Sequence, residues 1–238
     1  LVGYSSSYNG LQVKLDKRFS GGFGMTTAYT SSTSLGHQSE DAGIDFYINA
    51  KRNWRRLDFD RTHVFAQSYL WELPFGKGRK YLQSGAAGWI LGGWQINGVL
   101  QISSGAPIDF SASSAILNAP GNNNTLNYFG PGGIQILHGT GPGNPWFKNT
   151  KCNFTSSGTP VTAGCFAQAG AENVGVAEFG NLSKNVISGP GFWNVDASLF
   201  RTFDIKEHFH LQIRANATSI MNTPQWGNPS TDITSANF

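Results

Sequence analysis

Few side chains in this sequence have the type and spacing that chemistry needs. Cys152 and Cys165 stand in a Gly/Asn/Thr-rich stretch, and no second Cys or His pair lies at zinc-like spacing. That context favours a disulfide-closed loop over a metal site, with a reduced cytosolic pair as the alternative. His37, His63, His138, His208 and His210 are scattered. His208 and His210 share a strand face, but two imidazoles without a carboxylate make a poor metal site. Gly76-Lys77-Gly78-Arg79-Lys80 lacks the spacing of a phosphate-binding loop and no helix pattern follows it, so it reads as a basic turn. There is no serine-hydrolase elbow and no zincin motif. The expectation is therefore no catalytic residue, no metal, no cofactor and no enzyme.

Two stretches are better suited to binding. Residues 51–61 hold the densest charge, with Arg52, Arg55, Arg56 and Arg61 interleaved with Trp54, Asp58 and Asp60. Such arginines could attract anionic ligands or lipopolysaccharide phosphates. The preferred alternative pairs them with Asp58 and Asp60 where a loop re-enters the fold. Tyr128, Phe129, Trp146, Phe147 and Phe154 lie among Asn and Gly within 112–191. Aromatics beside amides suit sugars or peptides, but the same rings could pack a small core of a lobe closed by Cys152 and Cys165. The net charge of +3 is too weak to imply a nucleic-acid partner.

The elements that would position these residues are strands. Six segments alternate between apolar and polar with period two. Leu11, Val13, Leu15 and Phe19 alternate with Gln12, Lys14, Asp16 and Arg18, and a Ser20-Gly21-Gly22 turn leads to Phe23, Met25, Thr27 and Tyr29. Phe65, Tyr69, Trp71 and Leu73 share a face on which Gln67 is an exception. Trp94, Ile96, Gly98, Leu100 and Ile102 form the fourth apolar face. Trp193, Val195, Ala197, Leu199 and Phe203 are answered by Phe209, Leu211, Ile213, Ala215 and Ala217 across a turn at 205–208. Residues 81–108 carry no charge, yet the break at Gly92-Gly93 excludes a spanning helix and suggests a turn followed by a strand.

Composition says what the two faces meet. Only 13% of residues are charged, about half the roughly 25% usual in soluble domains. Gly, Ser, Asn and Thr exceed a third of the chain, while 7 Trp, 7 Tyr and 17 Phe exclude a disordered coil. Connections alternate in length: short turns at 20–22 and 205–208 and a medium turn at 74–93 oppose long loops at 32–62 and 112–191. Outer-membrane barrels sort their loops in this way, with short turns on the periplasmic side. Phe19, Phe23, Trp71, Trp94, Phe203 and Phe209 gather at the short-turn end, with Tyr29 and Trp193 at the other, as interfacial girdles do. Arg201 interrupts the apolar face near the short turns, where it could snorkel. The expected fold is all-β, an antiparallel up-and-down transmembrane β-barrel segment of about six strands with long outward loops.

Four runs carry a resemblance. They are Tyr8-Asn9-Gly10-Leu11-Gln12-Val13-Lys14-Leu15-Asp16-Lys17-Arg18-Phe19, Tyr69-Leu70-Trp71-Glu72-Leu73-Pro74-Phe75-Gly76-Lys77-Gly78, Gly92-Gly93-Trp94-Gln95-Ile96-Asn97-Gly98 and Gly189-Pro190-Gly191-Phe192-Trp193-Asn194-Val195-Asp196-Ala197-Ser198-Leu199-Phe200. Together they resemble the C-terminal barrel region of TonB-dependent outer-membrane receptors, in the subgroup with a carboxypeptidase-regulatory-like N-terminal extension common in Acidobacteria. The resemblance implies a larger barrel of roughly 22 strands, filled by an N-terminal plug and energised through TonB. Residues 1–238 would then be a barrel-wall fragment without its plug. It also implies active transport, at the bacterial outer membrane, of a scarce nutrient such as a siderophore, cobalamin, a carbohydrate or a peptide. Gln12, Lys14, Asp16, Arg18, Asp196, Gln212 and Arg214 would face lumen and plug. The partners implied are lipid and lipopolysaccharide, the plug, the TonB complex and the nutrient, with no nucleic acid. The competing expectation is a secreted β-sandwich adhesin or carbohydrate-binding module. A membrane-embedded hydrolase is more remote.

Overall fold

Six long alternating segments become one wide sheet. The computed structural model describes residues 4–38, 46, 49–112, 125–171, 178–206 and 209–238. In chain order the strands are β1 (Ser6–Ser20), β2 (Phe23–Gly36), β3 (Arg55–Arg56), β4 (His63–Glu72), β5 (Trp94–Ser103), β6 (Pro107–Ile108), β7 (Leu126–Phe129), β8 (Cys165–Gln168), β9 (Ile187–Ser188), β10 (Phe192–Lys206) and β11 (Phe209–Ala217). One short helix, α1 (Gly85–Leu91), precedes β5. The large sheet runs β1-β2-β4-β5-β10-β11, with β3 beside β2, and every neighbouring pair is antiparallel.

Register keeps the two faces apart across the whole sheet. One row of partners runs Asp16, Thr26, Ser68, Val99 and Asp196, and its neighbour runs Leu70, Asn97, Ser198 and Asn216. On the opposite face Tyr29, Phe65, Ile102 and Trp193 lie side by side at the long-loop end. A one-residue slip at any seam would invert one strand and mix the faces. The sheet curls with its polar face inward, because residues of both edge strands, β1 and β11, line the same trough of about 800 Å³. The apolar face has no second sheet over it among the described residues. Leu11, Val13, Trp71 and Ile102 are 62%, 50%, 42% and 45% exposed, where a soluble β-sandwich would bury them.

Three details differ from the sequence reading. A bulge between Lys17 and Ser20 sets two residues against Gly24, so Phe19 lines the concave trough with Asp16 and Arg18 instead of joining the apolar girdle. Glycine suits the position opposite, since a Cβ at Gly24 would crowd the Phe19 Cα at 3.1 Å. Residues 85–91 form a helix where a plain turn was expected. Strand β10 continues to Lys206, which pairs with Phe209, so the last hairpin is tighter than 205–208; Glu207 and His208 lie outside the described residues. Gln67 does sit on the apolar face, its amide 3.5 Å from the Met25 sulfur.

At the long-loop end the chain builds a separate cap. The β6–β9 and β7–β8 pairs enclose a core of Ile108, Phe110, Leu126, Phe147, Phe166 and Ile187, joined by Ile233. Phe238 adds edge contacts to Phe147 and Phe166 at 5.9 and 5.5 Å. Thr234 donates hydrogen bonds through its hydroxyl and its backbone N–H to Asp232, which hold that carboxyl below the usual carboxylate range. Cys152 and Cys165 are disulfide-bonded and clip residues 152–165 to β8. Phe166 is fully buried at the centre. Phe166→Ala should therefore cost about 3–5 kcal/mol of cap stability. Limited proteolysis should show faster cleavage within 126–188 while the six-stranded wall stays resistant.

Candidate functional site

Two regions gather functional side chains: the concave face of the sheet and the cap above it. The concave face is laced laterally. Asp16 accepts a hydrogen bond from the Thr26 hydroxyl at 2.8 Å and pairs with Lys14 at 2.8 Å. Asp196 accepts from the Asn194 amide at 2.9 Å and from the Ser219 N–H at 2.8 Å. Ser198 donates to the Asn216 amide oxygen at 2.7 Å, and the Gln95 amide donates to Glu72 at 3.1 Å. Glu72 is also paired with Arg79 at 2.5 Å. Asp16, Asp196 and Glu72 are thus each matched by a charged or neutral donor.

Of the side chains expected to face inward, Asp16, Arg18 and Asp196 line the trough. Gln12, Lys14, Gln212 and Arg214 share its polar face on the edge strands but stand outside it. Arg214 lies over the Phe200 ring at 5.1 Å, so the polar face carries an aromatic that simple alternation passes over. Thr26, Ser68, Asn97, Ser198 and Asn216 also line the trough. Their signal was present in the alternation, but short uncharged side chains do not announce a site.

The cap separates the expected ligand-contacting rings. Phe147 is 2% exposed, packed against Phe110 and Phe166; it is core, and the expectation that it touches ligand is corrected. Tyr128 tilts onto Phe166 at 5.0 Å, and Phe129 meets Phe154 edge-on at 5.6 Å. Trp146 donates its indole N–H to the Ser188 carbonyl at 2.8 Å and receives the His138 ring edge-on. It also lines a cleft of about 500 Å³ with Thr140, Asn144, Asn149 and Trp226. Trp226 was not singled out by sequence, since it lies outside the 112–191 stretch.

The charge cluster at 51–61 is spent on internal structure. Asp60 is 1% exposed and accepts from the Ser34 N–H at 2.8 Å and the Arg56 guanidinium at 2.9 Å. Arg56 also donates to the Ser188 hydroxyl at 2.8 Å, and the Asn185 amide donates to the Arg56 carbonyl and to Asp58. Arg52 stacks on Phe46 at 3.8 Å and donates to the Gly180 carbonyl. Burial lowers its pKa from the ordinary arginine value, yet a guanidinium stays charged at any cellular pH. The pairing alternative holds for Arg56 and Asp60, while Arg52 and Arg56 in addition tie residues 49–62 to the cap through Gly180 and Ser188. Among the described residues, no His/Cys/Asp/Glu group could hold a metal ion, and no helix is long and apolar enough to cross a membrane, which says nothing of spanning strands.

A curled sheet with a polar, hydrogen-bonded concave face and a bare apolar convex face is the wall of a membrane barrel. The family model described as the outer membrane beta barrel domain matches residues 2–238. The chain belongs to that family. No curated protein and no solved structure matches it. As an outer membrane β-barrel protein of the bacterial outer membrane, it turns its convex face to lipid. At the short-turn end of that face Phe23 neighbours Trp71, and Trp94 neighbours Arg201. The Lys17 ammonium sits 5.2 Å from the Phe23 ring, and the Arg201 guanidinium sits 4.2 Å from the Phe203 ring. Aromatics and snorkelling cations together mark the bilayer boundary.

Two substitutions test this placement. Leu199→Arg, on the lipid face opposite Ile96 and Ala215, should cost about 2–4 kcal/mol, while Thr202→Arg on the polar face should cost under about 1 kcal/mol. Heat-modifiable gel mobility of outer-membrane preparations, titrated with urea, should rank them in that order. Asp60→Ala should cost about 1–3 kcal/mol by leaving the buried Ser34 N–H without its acceptor and Arg56 without its carboxylate, read as loss of protease protection in 49–62.

Proposed function

We propose that the protein is part of an energised outer-membrane transporter for a scarce nutrient, working through TonB and an N-terminal plug. The resemblance to TonB-dependent receptors in four runs motivates the reading. The structural observation that carries it is the concave face. Asp16 and Asp196 are matched by donors there, and Thr26, Ser68, Asn97, Ser198 and Asn216 line the floor beside Leu70 and Val99, a surface suited to slide against or release a protein plug without stranding charge. Asp16, Arg18 and Asp196 would dock the plug from within the trough, and Gln12, Lys14, Gln212 and Arg214 from its rims. In this reading β1 and β11 join further strands, because open edges cannot face lipid. The work is binding and passage, without catalysis or cofactor.

The nutrient meets the cap first. The Trp146–Trp226 cleft offers two indole rings with Thr140, Asn144 and Asn149, the mixture that stacks on and hydrogen-bonds a carbohydrate or peptide. Phe129, Phe154 and Tyr128 serve the cap's own packing beside it. The exposed apolar face of the sheet opposes the secreted adhesin reading.

Cells expressing the full receptor should accumulate one member of a panel of labelled iron chelates, cobalamin, oligosaccharides and peptides. Accumulation should vanish in cells lacking TonB, and Trp226→Ala should weaken surface binding about tenfold, as loss of one buried aromatic contact would. Uptake that continues without TonB or a proton gradient would sink the energised reading and leave a passive pore.

A further inference from the structure

The connection from β4 to β5 is longer than turning the chain requires, since Gly21 and Gly22 alone connect β1 to β2 at the same end. The extra length makes an apolar ledge on the convex side. Helix α1 presents Trp89, Ile90 and Leu91 at 70%, 56% and 48% exposure, with Tyr81 and Leu82 exposed beside them. One of its carbonyls is tied to the wall. The Ile90 oxygen accepts from the Trp94 indole at 3.0 Å and from the Arg201 guanidinium at 2.9 Å, and both donors stand on the lipid face. Arg201 also lies 5.8 Å from the Trp89 ring. The helix is held tightly from below, where a Cβ at Gly76 would come within 2.6 Å of the Gly92 Cα. The ledge therefore continues the lipid-facing belt outward from the short-turn end.

Charge completes the pattern. Between Leu73 and Trp94 the sequence has Lys77, Arg79 and Lys80 and no acidic residue. Arg79 is taken by Glu72, while Lys77 is exposed and the Lys80 ammonium lies 5.2 Å from the Tyr81 ring. We propose that residues 77–91 are an interfacial anchor seated in the periplasmic leaflet of the outer membrane. Trp89, Ile90 and Leu91 enter the headgroup–acyl boundary, and Lys77 and Lys80 meet phospholipid phosphates. Such an anchor fixes the depth and tilt of the wall at this seam, where the Gly21-Gly22 hairpin has no equivalent. The inference rests on the outer-membrane placement of the wall and adds to it.

Spin labels on the full protein in outer-membrane vesicles test both separately. Cys152 and Cys165 are bonded to each other, so Trp89→Cys, Leu91→Cys, Val13→Cys on the lipid face and Leu137→Cys on the exposed cap each provide a single thiol. Collision with oxygen relative to a water-soluble nickel chelate should be several-fold higher at 89, 91 and 13 than at 137. If positions 89 and 91 match 137 while 13 is lipid-like, the anchor is overturned and the wall stands. If position 13 also matches 137, the membrane placement fails and the anchor with it.

Discussion

Pairing of every backbone N–H and C=O between strands, in a register that never mixes the two faces, is the constraint on which this molecule depends. Hydrocarbon offers no water to an unpaired peptide group. A wall that must stay dry outside and wet inside therefore needs each strand locked to its neighbours with parity conserved. Here parity holds across all six long strands, and both irregularities of pairing sit at the short-turn end, between Lys17 and Ser20 and between Asp204 and Lys206. Bulges tolerated at a rim would be ruinous in the middle of the span.

The remaining features follow from having two solvents. On the polar side, Thr26 and Lys14 are aimed at Asp16, Asn194 at Asp196, and Gln95 and Arg79 at Glu72. On the lipid side, the cations Lys17 and Arg201 survive only near the boundary, folded back on Phe23 and Phe203. The same two residue types thus solve opposite problems on opposite faces. Above the bilayer a third environment returns, and the cap is built like a small globular domain with an aromatic core, a disulfide and half-buried arginine straps.

Much of the wall was legible in the alternation, because a strand's side-chain period is two whatever it packs against. The parts that were misread each involve a local exception to that period. Phe19 changes face because of a bulge that its own residues do not betray. Helix α1 escaped notice because Gly85, Gly88 and Gly92 weaken any helical propensity in its segment. It forms nonetheless where Gly88 and Gly92 approach Gly76 and the Ile90 carbonyl accepts from Trp94 and Arg201.

In the cap the division between sequence and tertiary structure is sharper. Composition alone pointed to an aromatic lobe closed by Cys152 and Cys165, and charge spacing alone suggested Arg–Asp pairing at 51–61. Which ring is core and which lines a cleft was decided only by the fold. Phe147 and Trp146 are neighbours in the chain, yet one is buried among Phe110, Phe166 and Phe238 and the other faces Trp226 across a cleft. Sequence by itself determined the class, the membrane faces and the number of long strands, since those depend on periodic contrasts along one chain. Tertiary structure alone decided curvature, the trough, the cleft that Trp146 and Trp226 share, and the tie of α1 to Trp94 and Arg201. Each of those arises where residues far apart in sequence meet, and no local period encodes such a meeting.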